Sequence, residues 1–123
     1  MTNNSSLNRL VLGTAQWGSR YGISNSKGMP SSREVSRILK KSSLSGVSNL
    51  DTAPAYGESE SIIGANNLEC FKIVTKIPKL ETFSLDDEKL KIIRSSFEKS
   101  LADLRVESVD GLLFHHADDL IQD

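Results

Sequence analysis

The chain has 123 residues, 15 Lys and Arg against 16 Asp and Glu for a net charge of -1, and a 37% apolar share, the size of one modest domain rather than two. No basic block stands out from the mixed charges, which argues against nucleic acid and membranes as partners, and the apolar runs stay far below the roughly 20 residues of a bilayer span. Met1 to Asn8 is Ser/Asn-rich, lacks a basic segment followed by an apolar one, and reads as a flexible terminus rather than a secretory signal; together with a single cysteine, Cys70, this fits a soluble cytoplasmic protein.

In chain order, Arg9 to Thr14 (RLVLGT) is a short apolar run stopped by glycine and reads as a strand. A Gly/Ser-rich loop follows, from Gly18 to Pro30. Ser31 or Ser32 can then cap a helix from about Arg33 to Leu44, with Val35, Ile38 and Leu39 on one face and Gly46 at its end. Val47 to Asp51 reads as a second strand and Glu58 to Ala65 as a second helix carrying Ile62 and Ile63. Phe71 to Lys76 is the third strand, closed by Pro78. Cys70, immediately before it, reads as a buried or partly buried inert thiol. The charged stretch Glu81 to Lys91 reads as the solvated start of a third helix. That helix, Asp86 to about Leu104, places Leu90, Ile93, Phe97, Leu101 and Leu104 at spacings of three and four, an apolar stripe that needs a partner surface. Val109 to His115 is the fourth strand.

The order βαβαβαβ, without a hairpin signal, argues for a parallel sheet covered by helices. Two architectures meet that description, an open doubly wound sheet and a (β/α)8 barrel. The turn after the first strand, Gly13-Thr-Ala-Gln-Trp-Gly18-Ser-Arg, is no G-x-G-x-x-G fingerprint. Ser19 stands where a P-loop needs its phosphate-gripping lysine, which argues against a nucleoside triphosphate.

Each strand closes on a polar residue that packing explains poorly: Thr14, Asp51, Lys76 and His115. In parallel α/β proteins the C-terminal strand ends share one rim, where ligands bind and reacting groups gather. Pro54 and Gly57 shape a loop that leaves Tyr56 near the same rim. A neighbouring ammonium favours the phenolate and lowers a pKa that is about 10 in model peptides, which suits Tyr56 to proton donation beside Lys76. Asp51 would hold Lys76 charged and in place, and an N–H of His115 would orient a carbonyl and stabilise its oxygen. This group can protonate a carbonyl oxygen but contains no two-electron donor, so a reduction needs a hydride cofactor. His115 and His116 are adjacent; on a strand they face opposite sides and cannot readily clasp one metal. His116, Asp118 and Asp119 read as rim and helix-cap residues, and no metal site is expected.

Four segments together resemble the aldo/keto reductases: Leu12-Gly13-Thr14; Asp51-Thr-Ala-x-x-Tyr56-Gly57-x-Ser59-Glu60-x-x-x-Gly64; Thr75-Lys76; and Ser100-Leu-x-x-Leu104 through Val109-Asp110-Gly-Leu-Leu-Phe-His115. The resemblance runs from about residue 9 to the end in the family's order. It implies a (β/α)8 barrel that reduces an aldehyde or ketone with NADPH, NADH being the alternative, through an Asp-Tyr-Lys-His tetrad. By position, Tyr56 resembles the general acid, Lys76 the residue that lowers its pKa, Asp51 the partner of that lysine, and His115 the residue that orients the carbonyl. The same resemblance places Gly13, Thr14 and Asp51 at the cofactor, and Trp17, Tyr56 and His115 at a small carbonyl substrate.

A (β/α)8 barrel typically takes about 250 residues, so residues 9 to 123 read as its N-terminal half, ending after the fourth strand. Such a half keeps the tetrad, lacks the family's main cofactor contacts, and is expected to show little activity alone. Its open sheet edges predict self-association. The alternatives are a non-catalytic or self-pairing half-barrel, and a lyase that uses Lys76 as a Schiff-base nucleophile.

Overall fold

The computed structural model describes residues 9–80 and 86–120. The terminus expected to be flexible (1–8) and the opening of the charged stretch (81–85) lie outside the described residues; within the rest of that stretch, Lys89 is buried and its neighbours are exposed. The elements are β1 (Val11–Gly13), α1 (Ala15–Gly18), α2 (Ser32–Leu44), β2 (Asn49–Asp51), α3 (Ser59–Gly64), β3 (Lys72–Ile77), α4 (Asp87–Leu104) and β4 (Gly111–Phe114), followed by a 3-10 turn over Ala117–Leu120.

The four strands form one parallel sheet in the order β1-β2-β3-β4. A doubly wound sheet would reverse its strand order at a switch point. Here each crossover steps to the next neighbour in the same direction, as in an arc of a barrel. The register sets Gly13 beside Asp51, Asp51 beside Val74, and Lys76 beside Leu113, so the C-terminal ends of the strands align on one rim.

The helices begin where side chains supply the missing acceptors. Ser31 Oγ accepts from the Glu34 N–H at 3.2 Å and a Glu34 carboxylate oxygen accepts from the Ser31 N–H at 3.1 Å, a reciprocal box that starts α2. Asp86 caps α4 through the Lys89 N–H. That helix ends at Arg105, whose left-handed backbone (φ 56°) turns the chain toward β4.

Three strands are shorter than their apolar runs while β3 keeps six residues shifted by one, and at β1 and β2 hydrogen bonds account for residues that leave the sheet. Thr14 leaves β1 to open the four-residue α1, a helix the sequence reading does not foresee, and its carbonyl accepts from the Trp17 N–H. Val47 is buried, but its N–H closes the end of α2 on the Ser42 carbonyl instead of joining the sheet. His115 lies one residue beyond β4.

Val35 and Leu39 of α2, Leu50 of β2, Ile63 of α3, Ile73 of β3 and Leu104 of α4 form the core with Trp17, Leu68 and Phe71. Full burial of such aliphatic side chains contributes about 1.5–3 kcal/mol each. Ile38, expected beside Val35 and Leu39, stays at the exposed margin of α2. The stripe expected along α4 is also only partly used. Leu104 is buried, Ile93, Phe97 and Leu101 are half-buried, and Leu90 is exposed. The reason is that α4 meets α3 through small groups near its C-terminal end: a Cβ on Gly64 would lie 2.1 Å from the Asp103 carbonyl oxygen. Cys70 is exposed rather than buried, because it belongs to the turn ahead of β3; its sulfur lies 3.2 Å from Ser43 Oγ.

Candidate active site

Asp51 closes β2 and Lys76 is the penultimate residue of β3, so adjacent parallel strands carry them to the same rim. Lys76 Nζ donates to Asp51 Oδ1 at 2.8 Å and to the Thr52 carbonyl at 2.9 Å. The lysine side chain is 12% exposed and the aspartate 33%, so the pair is partly withdrawn from water and better placed to keep one geometry than a surface ion pair.

Tyr56 sits in the turn between β2 and α3. Its N–H bonds to the Ala53 carbonyl and its own carbonyl accepts from the Ser59 N–H. The loop is pressed directly against the end of α1. A Cβ on Gly18 would fall 1.7 Å from the Tyr56 carbonyl oxygen, and one on Gly57, whose φ is +61°, would fall 2.2 Å from the Gly18 carbonyl oxygen. Only glycine permits that approach at both positions. The result places the Tyr56 ring with Lys76 Nζ 5.0 Å from its centroid and with His115 edge-on at 5.7 Å and 79°. Asp51, Tyr56, Lys76 and His115 are therefore one cluster.

His115 is held below its ordinary pKa of 6.5, first by burial and then by the charge of Lys76, with His116 adding to the effect and Asp51 opposing it. A histidine so placed is neutral at neutral pH, with one N–H to donate. His116 stacks on His115 at 5.2 Å and 26°. The expectation that the two rings face opposite sides fails because strand alternation ends at Phe114. Among the described residues no group of three or more His, Cys, Asp or Glu side chains is arranged to hold a metal ion.

Two further expectations need correction. Thr14 closes β1 but does not face the rim. It is fully buried, its hydroxyl donates to the Asp51 carbonyl at 2.9 Å, and Ser59 Oγ donates to it at 2.9 Å. Its polarity is thus used inside the fold, and its side chain is not available to a cofactor. Trp17 is 6% exposed and part of the core, so it packs inside the fold instead of standing as an exposed loop aromatic. Gly13 does fit a site, since a Cβ there would have nothing within 4 Å, and its register partner is Asp51.

Beneath the site lies a polar layer that the strand-end pattern does not indicate. Ser59 links to Thr14 and lies 3.4 Å from Thr52 Oγ1. Glu60 accepts from Thr75 Oγ1 at 2.5 Å and from Ser100 Oγ at 2.9 Å. The available signal was a set of small hydroxyl residues inside apolar runs, Thr75 in FKIVTK and Ser100 along the face of α4.

The model of the aldo/keto reductase family matches residues 9–122. Two solved structures from Pseudomonas aeruginosa, each named a "putative aldo-keto reductase", superpose with TM-scores of 0.73 and 0.71 at 30% identity. Both matches cover 90% of this chain, and the chain spans 45% and 44% of their lengths. No curated protein matches the chain significantly. The arc of four parallel strands alternating with helices is that of the N-terminal part of an aldo/keto reductase barrel. The chain belongs to the aldo/keto reductase family. Among its described residues no helix is long and apolar enough to cross a membrane.

Proposed function

We propose that this chain carries the proton-transfer residues of an NAD(P)H-dependent reductase acting on a small aldehyde or ketone. The observation that carries this reading is the gathering of a phenol with an ion-paired ammonium and a neutral imidazole: Lys76, bound to Asp51 at 2.8 Å, lies 5.0 Å from the Tyr56 ring centroid, and the His115 ring lies edge-on to it with centroids 5.7 Å apart.

In this reading Tyr56 donates its phenolic proton to the carbonyl oxygen as that oxygen gains negative charge. The phenolate left behind is stabilised by the Lys76 ammonium, and Asp51 with the Thr52 carbonyl fixes that ammonium on the rim. His115 donates its N–H to the same oxygen, orients the substrate and stabilises the developing charge. A bound nicotinamide cofactor would supply the hydride. Gly13, with open space over its Cα, and Asp51 beside it would border that group; Thr14, being buried, contributes only by holding the Asp51 backbone. The lyase alternative needs a free amine, whereas the Lys76 nitrogen is engaged by a carboxylate and a carbonyl.

The test is carbonyl-dependent oxidation of NADPH, followed by absorbance, in the protein that contains these residues within a complete barrel. Tyr56→Phe removes the proton and leaves the ring, and is expected to lower kcat by about 10²–10⁴-fold with the fold intact. Turnover equal to wild type in that variant would remove Tyr56 as the acid.

A further inference from the structure

Glu60 is the one buried carboxylate among the described residues, 2% exposed on the first turn of α3. Its neighbours make it unusual. No Lys, Arg or His among the described residues forms an ion pair with it; its oxygens accept instead from two neutral hydroxyls, Thr75 Oγ1 at 2.5 Å and Ser100 Oγ at 2.9 Å, both on fully buried residues. A desolvated carboxylate is costly, and an apolar side chain would fill the same space without that cost. What an apolar side chain would not supply is a pair of short, directional hydrogen bonds to two other elements.

The position of those bonds gives them a consequence at the rim. Thr75 immediately precedes Lys76 in β3, and successive strand residues point to opposite faces. A grip on Thr75 from the helix side therefore fixes the strand that presents Lys76 on the other side. The helix that provides the grip starts three residues after Tyr56, and its Ser59 is bonded to Thr14, which in turn holds the Asp51 carbonyl. The first turn of α3 thus connects the backbone positions under all three residues.

The geometry points to Glu60 as a positioning residue of the site: through Thr75 its carboxylate fixes β3 against α3, and so sets where Lys76 stands relative to Tyr56 and His115. Ser100 takes up the second oxygen and ties α4 to the same point, but it lies forty residues from Glu60 and on no strand of the rim. The catalytic meaning of this role rests on the reductase reading. Its test reads positions rather than turnover, so a failed NADPH assay with Tyr56→Phe and a failed result here are separate outcomes.

The readout is the NMR titration of the His115 imidazole in the 123-residue chain, because the charge of Lys76 is one of the causes that keep that histidine below 6.5. Thr75→Val removes the hydroxyl and keeps the shape; with β3 released from Glu60, the His115 midpoint is expected to rise toward 6.5. Thr75→Ser restores the hydroxyl and is expected to return the midpoint to its wild-type value. Ser100→Ala breaks the other bond of the same carboxylate, and is expected to lower the thermal midpoint while leaving the His115 titration in place. If Thr75→Val does not fold, Glu60→Asp takes its place, since it keeps the charge but shortens the reach to Thr75, and the same rise is expected. A folded Thr75→Val or Glu60→Asp chain with an unmoved His115 midpoint would overturn the proposal. So would a Ser100→Ala chain whose midpoint moves as far as that of Thr75→Val, because the carboxylate would then be only a packing anchor.

Discussion

His115 is the member of the cluster whose protonation is most visibly set by its surroundings. Burial, the Lys76 ammonium and His116 all disfavour its charged form, and only Asp51 favours it. Its proton titration by NMR is therefore expected to show a midpoint below 6.5, and Lys76→Met, which removes a repelling charge and leaves Asp51 unpaired, is expected to move that midpoint upward. A wild-type midpoint at or above 6.5 would show that burial and Lys76 do not outweigh Asp51 at His115. The same shift has a sign for stability. As pH falls, the unfolded chain takes up this proton first, so the contribution of neutral His115 is present above 6.5 and is lost as pH falls from there through the folded value.

Between the elements, much of what holds the site is a set of contacts that link residues far apart in the chain. The clustering of Asp51, Lys76 and His115 is legible in sequence, because they stand at the ends of apolar runs and parallel strands bring such ends together. Thr14 obeyed the same positional rule and yet faces inward, since polarity at a strand end says nothing of whether another element waits behind it. The element that waits is α3: Ser59 and Thr14 are 45 positions apart and bonded. The close approach of Gly18 to the Tyr56 loop was illegible for the same reason, the signal being two glycines in separate segments. The apolar stripe of α4 is present as a pattern, but the helix is seated by Ser100, Leu104 and its close backbone approach to Gly64. Thr14→Val tests this layer. It keeps the volume of the side chain, removes the donor to the Asp51 carbonyl and the Oγ1 acceptor for Ser59, and leaves Ser59 Oγ on the Thr14 carbonyl at 3.1 Å and beside Thr52 Oγ1 at 3.4 Å. Because the Asp51 carbonyl keeps the Thr14 N–H and Ser59 keeps the Thr14 carbonyl, a loss of about 0.5–1.5 kcal/mol is expected, measured as a shift of the denaturant midpoint, with Thr14→Ser close to wild type. Equal stability of the Val and wild-type chains would show that the hydroxyl network contributes nothing net.

At the scale of the whole molecule, the sheet is well covered at its centre and open at its sides. Leu50 and Ile73, on the two inner strands, are buried, whereas Val11 on β1 is 56% exposed and Leu113 on β4 is 50% exposed. Each outer strand has a hydrogen-bonded neighbour on one side only among the described residues, which leaves a row of unpaired backbone groups beside apolar side chains. Such edges recruit other strands unless charge or cover prevents it. The near-zero net charge of -1 supplies little repulsion between copies. A preparation of these 123 residues is accordingly expected to associate, with sedimentation coefficients that rise with concentration. Replacing the exposed edge residues by charged ones, Val11→Lys with Leu113→Lys, is expected to shift the distribution toward the monomer, because association would have to desolvate an ammonium on each edge. Neither residue belongs to the core cluster, so circular dichroism should be retained. A wild-type chain that sediments as a single monomer across the concentration range would show that these edges are protected by another part of the structure.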